Sequence, residues 1–204
     1  ERSAKAEAMT RMMRLWELDA IVRVSVSAEY IDSLINQGEQ VVVMAHHSKV
    51  IDGVRDKLMN AGWRVATIRG GMSSEAKAKV VEDFQAGNLD ALVGQVEAAG
   101  VGLTLTAACH IVFAQLPWSP AVFAQACDRV YRIGQERKTF VHVLLGYEKM
   151  LSVRVWNRLK GKSIITDAIN SGKPVTIADT FTDDGQTIMQ EVMSDMLEEI
   201  AYAV

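Results

Sequence analysis

Residues 40 to 48 read Gln-Val-Val-Val-Met-Ala-His-His-Ser, and this stretch decides the fold. Val41, Val42, Val43 and Met44 leave no polar face. A strand apolar on both sides must be covered on both sides, as the strands of a parallel sheet are. Ser48 then predicts a helix cap, with a helix running to about Asn60 and ended by Gly62. The same phrasing recurs downstream. Strands are expected at 64–68, 90–94, 110–114 and 139–145. A helix begins at Ser73 or Ser74 with Ala76, Val80, Val81 and Phe84 as its apolar positions, Pro120 opens another, and a third covers 149–160. Upstream, Met9, Met12, Met13, Trp16 and Ala20 keep helical spacing over 4–21, and a second helix covers 28–36 before Gly38. Strands separated by helices of this length imply right-handed crossovers and a mostly parallel sheet. Ligands of such sheets bind beyond the carboxyl ends of the strands. The loops starting at His46, Gly70, Gln95 and Gln115 all fall at such ends, so one rim is expected to gather them.

Composition sets the outer limits. The chain has 204 residues, 49% of them hydrophobic, enough for one domain with its own core plus an appendage. No stretch reaches the length of a membrane span, and no signal-peptide pattern is present. The first residue is Glu1 rather than Met, which leads us to expect a piece of a longer protein. Cys109 and Cys127 have no metal-ligand spacing and read as small buried apolar residues in a reducing compartment. The net charge of −3 does not advertise a nucleic-acid binder, but it is unevenly spread. Residues 175–204 hold seven acidic side chains and no Lys or Arg, so all 22 basic residues face only 18 acidic ones in the body. That acidic tail fits either a solvated amphipathic helix or a segment that shields a basic groove or docks a partner.

Residues 125 to 135, Gln-Ala-Cys-Asp-Arg-Val-Tyr-Arg-Ile-Gly-Gln, carry the strongest chemical signal. Arg129 and Arg132 lie three apart, which on a helix running up to Gly134 puts both on one face. Side-by-side guanidiniums suit an oxyanion such as phosphate, gripped through paired N–H donors. A solvated basic helix end, favoured by the helix dipole, is the plainer alternative. Gly100 and Gly102, in Ala-Ala-Gly-Val-Gly-Leu-Thr-Leu, follow a strand and can bring backbone N–H groups close to phosphate, or simply make a tight turn. Gly161-Lys162-Ser163 lacks the earlier glycine of a phosphate-binding Walker A loop, since position 156 is Trp. No Asp-Glu box follows a strand. His46 and His47 are adjacent on an extended segment, point opposite ways, and make a zinc site improbable.

Gly100-Val-Gly-Leu-Thr-Leu-Thr-Ala-Ala, Trp118-Ser-Pro and Gln125-x-x-Asp-Arg-x-x-Arg-Ile-Gly-Gln, in this order, resemble the motifs of the second helicase lobe of SWI2/SNF2-type translocases. These belong to helicase superfamily 2, and the wording is most similar to the annealing-helicase (HARP-type) branch and its bacterial and viral relatives. The resemblance implies an α/β, RecA-like lobe at 38–160, with a helical lead-in at 1–37 and a helical, acidic extension at 161–204. It implies that Arg129 and Arg132 are arginine fingers reaching ATP held, with Mg²⁺, mainly by an N-terminal lobe, and that Gln125, Gly100 and Gly102 help organise the nucleotide cleft. It implies DNA contacts at His46, His47, Ser48, Gly70, Gly71, Thr104 and Trp118. Double-stranded or branched DNA and the N-terminal lobe are the partners implied. The location implied is intracellular: cytoplasm in a bacterium or virus, nucleus in a eukaryote. The chain by itself is then expected not to turn over ATP. A stand-alone binding module and an RNA-directed superfamily 2 lobe are the alternatives. The sequence departs from the family pattern at Gln95-Val96 (commonly Ser-Thr), Ser119 (commonly Asn), Lys77 (commonly Arg) and Gly146-Tyr-Glu-Lys-Met-Leu.

Overall fold

A computed structural model describes residues 2–99, 103–160 and 184–202. Five strands form one sheet: β1 (Val41–Ala45), β2 (Val65–Ile68), β3 (Ala91–Gln95), β4 (His110–Phe113) and β5 (Phe140–Val143). The order across it is β2-β3-β1-β4-β5, and every neighbouring pair is parallel. The continuous apolar run therefore lies at the centre, where both faces are buried. Side chains alternate across the pleat. Val41, Val43 and Ala45 enter one core, and Val42 and Met44 the other.

Helices α1 (Arg2–Ile21), α2 (Val24–Ile35), α3 (Ser48–Asn60), α4 (Ser74–Gln85), α5 (Val96–Ala99), α6 (Pro120–Val130), α7 (Leu151–Leu159) and α8 (Asp184–Tyr202) cover both faces. Ile31 and Leu34 of α2 join Val50, Ile51 and Val54 of α3 on the Val43 side. Phe84 of α4, Phe123 of α6 and Val155 of α7 pack on the Met44 side. Helix α1 serves both: Met12 and Trp16 enter the second core, Ala20 the first. Such a three-layer sandwich covers the central strands on both faces, while the edge strands β2 and β5 stay partly exposed. Among the described residues no helix is long and apolar enough to cross a membrane.

Three local expectations change. Ser48 does not cap α3: His47 occupies the cap position, with extended backbone and no side-chain bond, because the chain is pinned one residue earlier. Helix α6 stops at Val130, so Arg132 lies beyond it and the two arginines do not share one continuous helix. Gln135 follows the turn, its side-chain amide donating to the carbonyls of Ala108 (2.7 Å) and Thr106 (3.1 Å) and standing 3.4 Å from that of Val130. Gly134 turns the chain at φ +99°, where a Cβ is disfavoured. The acidic helix α8 is amphipathic and docked rather than purely solvated. Ile188 and Val192 are buried in the core and Arg158 of α7 pairs with Asp195 and Glu191. Other departures from the family pattern are absorbed locally: Ser119 caps α6, its Oγ accepting from the Val122 amide.

Candidate functional site

The carboxyl rim of the sheet is organised by a glutamine. Gln115, fully buried just past β4, accepts the backbone N–H of both His46 and His47 through Oε1, each at 3.0 Å. Its Nε2 donates to His47 Nδ1 (2.8 Å) and to the Trp16 carbonyl (3.3 Å). All of its bonding capacity faces the protein. Trp16 lies beneath this turn, its ring 4.6 Å from that of His46, 5.0 Å from His47 and 5.0 Å from Trp118. His47 is held neutral: burial pushes its pKa down. His46 Nδ1 meets Glu97 at 2.5 Å. The next loop is latched in the same manner. Gln95, which pairs with Ala45 across β1 and β3, accepts from the Gly70 N–H at 2.9 Å. A Cβ on Gly70 would sit 3.3 Å from that oxygen, while Gly71 turns at φ +81° into open space.

The arginine segment lies at the other end of α6, against the amino end of β4. Gln125, Arg129 and Arg132 line one concavity of about 510 Å³ together with Asp128, Tyr131 and Gln135. Arg132 is exposed and reaches back, its Nη1 donating to the Leu103 carbonyl (3.2 Å) and Thr104 Oγ1 (3.0 Å). The Arg129 carbonyl accepts from Leu105 N–H at 2.9 Å. The chain that leaves the glycine loop is thereby stitched to the arginine segment. Arg129 is partly buried, and its pKa is lowered, first by desolvation and then by the like charge of Arg132. Two guanidiniums that repel one another beside a concave, partly desolvated surface form an anion-receptive arrangement, since an oxyanion would relieve both costs.

Comparison with known proteins places the chain in a family. The sequence profile of the helicase conserved C-terminal domain matches residues 25–134, more than half of the chain. The chain belongs to this helicase family. The helicase lobe is 30% identical over 167 residues to the human DNA annealing helicase and endonuclease ZRANB3, covering 81% of this chain and 15% of that protein. It is 33% identical over 144 residues to a SWI/SNF-related matrix-associated actin-dependent regulator of chromatin, subfamily A-like protein 1, from Xenopus tropicalis, covering 70% of this chain and 15% of the other. The crystal structure of the C-terminal part of the Fun30 ATPase domain superposes with a TM-score of 0.59 at 14% identity, over 81% of this chain and 50% of that one. The lobe is thus of the SNF2 type, near the annealing-helicase branch, with a RecA-like fold. The chain spans about a sixth of the length of curated relatives of this kind.

In the helicase lobe the residues singled out from sequence divide into two groups. His46, His47, Ser48, Gly70, Gly71 and Trp118 belong to the carboxyl rim. Gln125, Arg129 and Arg132 meet at the concavity, and Thr104 joins them rather than the rim. Gly100 and Gly102 lie outside the described residues. Sequence reasoning missed the residues that hold these groups in place: Trp16, Gln95, Gln115 and Gln135. Gln115 had one signal, a polar residue closing the apolar run His110 to Ala114. Gln135 stood at the end of the quoted Arg-Ile-Gly-Gln motif, but a surface glutamine and a clamping one look alike in sequence.

Proposed function

We propose that the chain is the C-terminal motor lobe of an ATP-dependent double-stranded-DNA translocase or helicase. The observation that carries this reading is the meeting of Gln125, Arg129 and Arg132 on one concavity, tied through Thr104 to the exit of the glycine loop. In this reading the ATP substrate, with its Mg²⁺, is held chiefly by an N-terminal lobe, and the two guanidiniums neutralise charge developing on the transferring phosphoryl group. Arginine fingers of this kind contribute about 10³ to 10⁵ in rate. Gln125, one helical turn before Arg129, orients the same cleft. Because Arg132 also holds Thr104, a change in what Arg132 grips would be felt by the segment 103–105.

DNA would be met at the carboxyl rim. Backbone tracking needs phosphate contacts rather than base readout, so binding would be sequence-independent and salt-sensitive. The His46, His47 and Gly70 amides already donate to glutamine oxygens, so the rim would offer DNA its rings, Ser48 and the Gly71 turn instead. The relatives' names, DNA annealing helicase and regulator of chromatin, support DNA over RNA. We assign 38–160 to the motor lobe, 1–37 to a lead-in and 161–204 to an extension, and place the protein inside the cell, in the nucleus of a eukaryote or the cytoplasm of a bacterium or virus. The test is Arg129→Ala and Arg132→Ala in the complete two-lobe protein. Loss of DNA-stimulated ATPase is expected, whereas near-normal turnover in both variants would overturn the assignment. Stimulation by RNA but not by duplex DNA would favour the RNA-directed alternative.

A further inference from the structure

A second cluster lies at the amino edge of the sheet, outside both groups above. Glu39 precedes β1, Cys109 precedes β4 and His110 opens β4. Their ligand atoms all lie within 4.8 Å of one another. Glu39 Oε2 is the focus, 3.3 Å from Cys109 Sγ and 4.0 Å from His110 Nε2. A thiol, an imidazole nitrogen and a carboxylate form the donor set of a zinc-class cation, which takes four ligands in a tetrahedron. From this convergence we propose that Glu39, Cys109 and His110 bind a zinc-class divalent cation, with solvent as the fourth ligand.

The surroundings of His110 strengthen this assignment. Its Nδ1 lies 2.9 Å from His142 Nε2, and His142 Nδ1 lies 2.8 Å from the Tyr30 hydroxyl. With His110 Nδ1–H donating to His142, and His142 Nδ1–H donating to Tyr30, His110 Nε2 presents its lone pair towards Glu39 and Cys109. Ligating histidines carry an outer partner of this kind, which fixes tautomer and ring plane. The ring is also stacked at 14° on Phe140 and on His142, with centroids 5.0 and 5.1 Å away. Zinc bonds of about 2.0–2.3 Å require the three donors to close in by about an ångström. As the metal binds, the Cys109 thiol loses its proton to solvent.

One group opposes the cation, and it makes the proposal sharp. Arg137 Nη1 is 2.8 Å from Glu39 Oε2, so its guanidinium stands beside the carboxylate that the metal needs. Arg137 also donates to the Ala107 carbonyl (3.3 Å), and its N–H bonds Gln135 Oε1 (3.0 Å). Occupancy would therefore be felt in the turn that follows Arg132. No fixed Cys or His spacing announces the site, because its ligands come from positions 39, 109 and 110.

The test uses this chain, stripped with a chelator and titrated with Co²⁺, then with Zn²⁺ in competition. A thiolate-to-cobalt charge-transfer band at one equivalent, abolished by Zn²⁺, is expected. Cys109→Ser removes the band, Cys127→Ser leaves it, and His142→Phe weakens binding about tenfold or more. Arg137→Ala tightens binding by at least about fivefold, since a like charge is removed. An ordinary hydrogen-bonded cluster would show no such gain. Absence of the band in the wild type, its survival in Cys109→Ser, or unchanged affinity in Arg137→Ala overturns the proposal. Should Cys109→Ser fail to fold, Glu39→Gln and Arg137→Ala still decide it.

Discussion

The carboxyl rim and the arginine concavity lie at opposite ends of α6, and they are built in opposite ways. At the rim, Gln115 spends every donor and acceptor on its own chain, and three aromatic rings close around Trp16. At the concavity, two like charges stand side by side, one partly buried and the other exposed. The rim is complete as folded. The concavity sets these two cations beside a single carboxylate, Asp128, which offsets part of the charge at Arg129. In the proposed function, the satisfied rim would meet a uniform polymer backbone, and the paired cations a charge that forms and departs.

Four measurements test this difference between the two sites. The largest effect is expected for Arg132→Ala in the two-lobe protein: turnover falls by about 10³ or more while the melting temperature scarcely moves. A comparable loss of stability would show that Arg132 serves the fold through Leu103 and Thr104 instead. The reverse pattern is expected for Gln115→Leu. Two backbone N–H groups lose their acceptor, and urea unfolding should report a loss of about 2–4 kcal/mol. An unchanged midpoint would mean that water replaces the glutamine and the rim is not prebuilt.

A smaller effect concerns the concavity alone. Pyrophosphate at ten times its Kd should stabilise this chain by about 1.4 kcal/mol. The gain should disappear in Arg129→Ala and shrink with added salt. Stabilisation that survives Arg129→Ala would place the anion elsewhere. The smallest effect is a pH dependence at the rim. His47 has a folded pKa below its usual value, so its contribution is fully present above about pH 6.5 and is lost as pH falls through the lower folded value. Thermal melts between pH 7.5 and 5.5, conditions set around that ordinary value, should show a shallower loss for His47→Gln than for the wild type. Parallel curves would remove His47 from the account.

Much of the fold was legible because strands buried on both faces have to be written in apolar residues. Val41 to Met44 could only be a central strand, and Gly38, Gly62 and Gly134, all at positive φ, marked turns at or near their predicted places. The family motif likewise named Gln125, Arg129 and Arg132, which the fold brings to one concavity. Hidden from the sequence were the side chains that bond across large separations. Gln115 meets Trp16 across 99 positions, and Gln135 meets Thr106 across 29. The Gln135 amide beyond the end of α6 belongs to the same class, since it also binds the Thr106 and Ala108 carbonyls across 29 and 27 positions.

The parallel sheet, its central strand and the arginines of the proposed phosphate grip could be read from sequence, since these depend on local period and composition. Only the tertiary structure decided that Arg132 leaves the helix, that Thr104 sides with the arginines, and that glutamines rather than glycines hold the rim amides. The physical reason is that a buried backbone N–H or C=O must be satisfied by whatever group the fold brings within 3 Å or so, and no local pattern specifies which group that is.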